Sequence, residues 1–97
     1  MRYFVKKEDE AFITVDGQKL YTLQDLILWL MTCSDESFRY HVNEKSNHFV
    51  DWIKNSIGSK ILAEEIKKVY KKEEMIKILE NFICGIRINK EEILEEI

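Results

Sequence analysis

The chain of 97 residues contains no proline and only three glycines. These two residues most often interrupt helices and form tight turns, so their scarcity argues against a loop-rich chain. Hydrophobic residues make up 45% of the sequence and charged residues 34%, which is typical of a folded domain and excludes a disordered segment. We therefore predict a single, mostly α domain over residues 1–97.

Cysteine and long apolar runs are also scarce. Two cysteines are enough for one disulfide, between Cys33 and Cys84. Buried thiols are favoured, because the sequence has no secretory signal and is long enough to form a core. The longest apolar run covers residues 26–31, far fewer than the roughly 20 residues that span a bilayer. The charged start lacks the apolar segment of a signal peptide. These features predict a cytoplasmic protein without membrane contact.

An excess of positive charge is missing, since the formal net charge is −3. A general nucleic-acid coat is thereby excluded, because such proteins gain most of their affinity by neutralising phosphates. Residues 54–77 nevertheless carry seven lysines against four glutamates, and Tyr70 lies among four of these lysines. This cluster predicts phosphate contacts through Lys67, Lys68, Lys71 and Lys72. The alternative is a solvated junction between helices, which the interleaved glutamates favour.

A small β-hairpin is predicted in the lead-in over residues 1–21. Asp16-Gly17 lies between two short runs rich in β-branched and aromatic residues, which indicates a two-residue type I′ turn. Residues 2–5 predict a further strand.

Helix starts follow from residues that can cap a first turn. The predicted caps are Thr22 (with Asp25), Ser34, Ser46 or Asn47, and Ser59. Gly58 is the natural stop of the third helix. We expect a compact bundle of about five short helices, with a helical core over 22–88. Residues 86–88 are a candidate extended segment, and Asn89 is the candidate cap of a short C-terminal helix over 89–97.

Two predicted helices carry more apolar surface than packing against a single core requires. The first predicted helix is apolar nearly all round, and the last one carries a narrow stripe beside acidic residues. The predicted interface residues are Leu28, Trp29, Met31, Ile93, Leu94 and Ile97. The alternative is that both faces pack within the domain.

The two histidines raise the question of a metal or catalytic site. No pair of candidate ligands has the spacing that lets one backbone turn deliver both, and Cys33 with His41 is a weak nucleophile and base pair. We therefore predict no catalytic, cofactor-binding or metal-ligating residues, no small-molecule substrate, and no enzymatic activity. Helical register separates the two rings. It places His41 on a core-facing side, where the ring satisfies a buried hydrogen bond such as one to a backbone carbonyl, and leaves His48 exposed at the start of the next helix.

One pattern resembles a family of small, mostly archaeal proteins of unknown function. The pattern is Phe-x-x-His-Val, Asn, Phe-x-x-Trp-Ile, Gly and Leu-Ala, formed here by Phe38, His41, Val42, Asn43, Phe49, Trp52, Ile53, Gly58, Leu62 and Ala63. The resemblance covers roughly residues 12–80. It departs at His48 and Ser59, where the family more often has an acidic residue. It implies a fold and no reaction, cofactor or substrate.

The leading functional hypothesis is a non-catalytic protein-interaction module that docks on a protein partner or on itself. The alternative is an accessory protein of RNA or a ribonucleoprotein that uses the lysine cluster.

Overall fold

The computed structural model describes the backbone of residues 3–95 and the side chains of residues 3–85. Its elements are a 3-10 turn (Glu8–Glu10), β1 (Phe12–Ile13), β2 (Lys19–Leu20), α1 (Leu23–Thr32), α2 (Asp35–His41), α3 (His48–Trp52), α4 (Lys60–Lys67) and α5 (Lys72–Glu95). The prediction of a mostly helical bundle with an N-terminal hairpin is confirmed.

The hairpin lies where it was predicted, but its loop has three residues rather than two. The amide of Thr14 donates to the carbonyl of Gln18 at 2.9 Å, and the amide of Gly17 donates back to Thr14 at 3.0 Å. A type I′ turn requires positive φ at both central residues. Gly17 has a φ of 88°, whereas Asp16 does not adopt a positive φ. The predicted turn type is therefore wrong, because only the glycine enters the left-handed region.

The strand expected over residues 2–5 is reduced to a short pairing in the part that the structure describes. Phe4 forms an isolated antiparallel bridge with Thr22. The amide of Val5 also donates to the carbonyl of Tyr21 at 2.9 Å. This pairing anchors the N-terminal segment beside the start of α1.

Four helix starts follow the predicted caps. The hydroxyl of Thr22 accepts from the amide of Asp25 at 2.9 Å, and the Asp25 carboxylate accepts from the amide of Thr22 at 3.2 Å. The side chains of Ser34, Asn47 and Ser59 cap α2, α3 and α4, and each accepts one first-turn amide. Each cap contributes about 1 kcal/mol to stability.

The end of the third helix is wider than expected. After α3 the chain continues through one π-helical turn over Ile53–Ile57. The amide of Gly58 donates to the carbonyl of Ile53, five residues earlier, at 2.8 Å. Gly58 has a φ of 92° and stops the helix as predicted.

The longest helix crosses a boundary at which the sequence predicted a break. α5 runs from Lys72 to Glu95, so residues 86–88 are not extended and Asn89 does not open a separate helix over 89–97. Without a proline nothing interrupts the backbone bonds, and each added residue contributes one more of them. The single glycine, Gly85, has no positive φ.

The core lies between α1 and α5 on one side and around α3, the π-helical turn and α4 on the other. Its fully buried side chains include Leu23, Leu26, Leu30, Phe49, Ile53, Leu62, Ile66, Met75 and Leu79. No helix within the described residues is sufficiently long and apolar to cross a membrane.

Candidate functional site

An asparagine turn folds the end of α2 against the start of α3. The side-chain carbonyl of Asn43 accepts from the amides of Lys45 at 2.9 Å and Ser46 at 3.1 Å. The amide of Asn43 also donates to the carbonyl of Ser46 at 2.8 Å. The turn reverses the chain so that His48, the first residue of α3, returns to His41, the last residue of α2.

The two histidines are in direct contact. The Nδ1 atoms of His41 and His48 lie 3.1 Å apart, with the rings nearly perpendicular. The predicted separation of the rings is therefore wrong, because register within each helix ignores the turn between the helices. The burial of each ring was predicted correctly: His41 is 3% exposed, and His48 is exposed. We call these two residues the histidine pair.

Hydrogen bonding assigns the protons of the histidine pair. The backbone N–H of Val15 donates to Nε2 of His41 at 2.9 Å, so this nitrogen carries no proton. His41 therefore holds its proton on Nδ1 and donates it to Nδ1 of His48, whose own proton lies on Nε2. The predicted hydrogen bond of the buried His41 ring is present, but its backbone partner is an N–H rather than the carbonyl offered as an example.

This tautomer bears on metal binding. A metal-ligating imidazole presents a lone pair on one nitrogen and usually a proton on the other. In His41 the lone pair on Nε2 is taken by Val15, and Nδ1 is protonated. Within the described residues, no cluster of three or more histidine, cysteine or acidic side chains is placed to hold a metal.

An aromatic shell surrounds His41. The centroid of its ring lies between 5.0 and 5.6 Å from the ring centroids of Phe12, Trp29, Tyr40 and Phe49. Burial in this shell lowers the pKa of His41, and the neighbouring His48 lowers it further, whereas the Asp16 carboxylate acts in the opposite direction. Neutral His41 is therefore the form that suits the folded chain.

Asp16 ties the hairpin loop to α1. Its carboxylate accepts from the hydroxyl of Thr14 and, at 3.0 Å, from the indole N–H of Trp29. These two hydrogen bonds lower the pKa of Asp16. Trp29 itself is only 4% exposed, so it offers little surface to a partner, and its role as an interface residue stays a prediction. The hairpin covers it, and its N–H is satisfied by the loop.

Exposed large apolar side chains line clefts at this loop, and we call them, together with Met31 one turn along α1 from Leu28, the hairpin-tip surface. They are Val15 (47% exposed), Leu28 (61%), Met31 (61%) and Tyr40 (58%). Leu28 and Met31 lie three residues apart on α1 and therefore share one helix face. Both are exposed, as expected for an interface residue. Val15 and Tyr40 were missed, although the apolar residues at 13 and 15 lie on one side of a strand pattern.

Two open clefts flank Asp16 within the hairpin-tip surface. One has a volume of about 500 Å³ and lies between Val15 and Tyr40. The other has a volume of about 370 Å³ and is lined by Leu28. The charged residues that line the two clefts are Asp16, Lys19, Asp25, Glu36 and Arg39. The surface thus combines apolar anchors with a rim of both charge signs.

The lysine cluster is only partly available to a ligand. Lys67, Lys68 and Lys71 are exposed. The ammonium group of Lys72 instead donates to the carbonyl of Cys33 at 3.0 Å and lies 3.2 Å from a carboxylate oxygen of Asp35. Lys72 therefore joins the start of α5 to the junction of α1 and α2, and its phosphate contact stays a prediction.

A third cleft adjoins the lysine cluster. It has a volume of about 390 Å³, and Lys67, Tyr70, His48 and Asn47 are among the residues that line it. Tyr70 is 56% exposed. An exposed aromatic ring beside a lysine can stack on a base or a planar group.

The remaining candidate residues are the two cysteines and the predicted interface residues near the C-terminus. Cys33 and Cys84 are free thiols, both half-buried. Burial raises the pKa of the Cys33 thiol, which disfavours the thiolate that a nucleophile needs. The side chains of Ile93 and Leu94, and Ile97 as a whole, lie outside the described residues.

No protein-family model, curated protein or solved structure matches the chain. The resemblance to the small, mostly archaeal family therefore stays a prediction. The apolar or aromatic side chains and the glycine of its pattern form part of the fold: Gly58 ends the π-helical turn, and the buried members are Phe38, His41, Val42, Phe49, Trp52, Ile53, Leu62 and Ala63.

Proposed function

We propose that the chain is a non-catalytic protein-interaction module that self-associates through the hairpin-tip surface. The observation that carries this proposal is the exposure of Val15, Leu28, Met31 and Tyr40 around one loop. Contiguous apolar exposure of this kind is typical of interaction sites, since it is unfavourable in water. Burial on association stabilises each large side chain by about 1.5–3 kcal/mol before the costs of ordering.

The charged rim favours a second copy of this chain as the occupant. A two-fold interface brings the same patch of both copies together, so it must be complementary to itself. Lys19 and Arg39 provide positive charge at the two clefts, and Asp25 and Glu36 provide negative charge. Asp16 adds a third carboxylate, so both signs are available for pairing across a two-fold interface.

Light scattering during size-exclusion chromatography tests this proposal. We expect the wild type to form a dimer at micromolar concentrations, and Leu28→Lys or Met31→Lys to be monomeric. Ile61→Lys on α4 is the matched control, because Ile61 is 67% exposed and lines neither cleft. A wild type that stays monomeric at every concentration contradicts self-association, even if a different protein binds it.

A second candidate function is association with RNA. It is supported by the cleft that holds Tyr70 and Lys67, next to the exposed Lys68 and Lys71. Three phosphate contacts predict that log K falls against log salt with a slope of about −2 for single strands. Fluorescence anisotropy with a labelled oligonucleotide measures this slope. Undetectable binding at low salt, or equal binding by Lys67→Glu, contradicts RNA association.

The proposed setting is the cytoplasm, which the two free thiols of Cys33 and Cys84 support. Membership of the small, mostly archaeal family is likewise proposed, supported by the burial of its pattern residues. The module is proposed to act without cofactor, metal or small-molecule substrate.

A further inference from the structure

Few polar contacts hold the hairpin loop against the helices. The loop reaches the helical body through the Val15 amide on His41 and through the Asp16 carboxylate on Trp29. The first contact requires an unprotonated Nε2, and the second requires a carboxylate or another acceptor. The Val15 contact is therefore the one that changes when a histidine gains a proton.

Protonation is incompatible with the histidine pair as it stands. If Nε2 of His41 gains a proton, its new N–H faces the N–H of Val15. Two donors cannot bond to each other, so this hydrogen bond is lost. A proton on Nδ1 of His48 faces the N–H of His41. Two charged rings with nitrogens 3.1 Å apart also repel each other.

From these contacts we propose that the histidine pair is a proton-sensitive device that releases the hairpin loop from α2 when the medium becomes mildly acidic. Exposed His48 can turn into solvent once its hydrogen bond to His41 is lost. Buried His41 gains a proton only when Val15 moves away and water reaches the ring.

Other charged and titratable groups face the histidine pair and modulate this response. Asp16 on the hairpin loop and Tyr40 on α2 face His41, and the groups that line the cleft beside His48 are Glu44, Lys45, Asp51 and Lys67. The Asp16 carboxylate favours a charged His41, but it is exposed and already accepts two hydrogen bonds. Burial of His41 outweighs it, since the net effect is a lowered pKa.

Release of the loop changes the hairpin-tip surface. Val15 and Tyr40 line the same cleft, and Val15 is bonded to the helix that carries Tyr40. Moving Val15 removes one wall of the cleft. Weaker association at acid pH follows only if the proposed function is correct, whereas opening of the loop can be measured without any partner.

Amide hydrogen exchange by NMR tests the loop directly. We expect the opening constant of the Val15 amide, corrected for intrinsic exchange, to rise by up to about tenfold per pH unit below about pH 6.5. The amide of Leu30, in the buried part of α1, reports global unfolding, and its opening constant should stay well below that of Val15 at every pH. Constant Val15 protection from pH 7.5 to 5.0 overturns the proposal, whatever the oligomeric state.

Two variants assign the effect to the pair. His41→Gln retains an acceptor for the Val15 amide but cannot titrate, so the pH-dependent rise should disappear. His48→Asn, at an exposed site, keeps an acceptor for His41 and removes one charge, so the rise should shrink. A rise of wild-type size in either variant overturns the role of the pair, and His48→Asn still decides the matter if His41→Gln does not fold.

Discussion

Acidification should destabilise this chain at a pH well above the range in which carboxylates titrate. The reason is His41, which is 3% exposed and whose pKa in the folded chain lies below its ordinary value of 6.5. A pH unit or more above 6.5, the ring is mostly neutral in both folded and unfolded chains. Below pH 6.5, the unfolded chain binds a proton that the folded chain resists, so the free energy of unfolding falls with pH.

The size of this effect has two bounds. Linkage allows one group a slope of at most about 1.4 kcal/mol per pH unit. Opening of the loop sets the second bound, because the folded chain can accept the proton once the Val15 amide is exposed. Exchanging that hydrogen bond for one to water costs about 0.5–1.5 kcal/mol. We therefore expect a loss of about 1 kcal/mol between pH 7.5 and 5.5.

Urea unfolding followed by tryptophan fluorescence measures this loss. With a dependence of about 1–1.5 kcal/mol per molar urea for a small domain, the midpoint should fall by roughly 0.7–1 M between the two pH values. His41→Gln, compared at the same pH values, isolates the contribution of the one ring. A midpoint that rises or stays constant, or an equal fall in His41→Gln, refutes the reasoning.

Three further predictions concern single residues. Asn47→Ala should lower the free energy of unfolding by about 2 kcal/mol, because Asn47 both caps α3 and donates to the carbonyl of Ile66 at 3.1 Å. Asn47→Asp keeps the cap and should lose only about half of that amount, which urea unfolding measures. Gly17→Ala should lower the free energy of unfolding by about 1 kcal/mol through the φ of 88° alone, since a Cβ there meets nothing within 4 Å. Gly17→Asn should lose less stability than Gly17→Ala. An unchanged melting temperature in Gly17→Ala contradicts this prediction. Lys72→Met should lower the free energy of unfolding by about 1 kcal/mol without changing RNA binding. Weaker RNA binding by this variant would show that Lys72 contacts phosphate.

Much of the fold was predictable because local chemistry fixes it. The caps at Thr22, Ser34 and Ser59 and the stop at Gly58 rest on hydrogen bonds between near neighbours in sequence. The loop type was not predictable in the same way. Asp-Gly permits several hairpin loops, and the selection here coincides with contacts of Asp16 and Val15 to distant helices.

The candidate site was harder to predict because it joins segments that are distant in sequence. Periodicity assigns a side to each residue within one helix but carries no information across the Asn43 turn, so the contact of His41 with His48 was missed. The apolar face of α1 was predicted as a whole. Only tertiary contacts divide it into buried Trp29 under the hairpin and exposed Leu28 and Met31.

Isotope-filtered NMR on a mixture of labelled and unlabelled chains tests self-association through the hairpin-tip surface most directly. At pH 7.5 we expect intermolecular cross-peaks from the methyl groups of Val15, Leu28 and Met31, including contacts to the ring of Tyr40 in the other copy. Cross-peaks that arise only from Ile61 or other side chains outside the surface, or none at millimolar concentration, would contradict it.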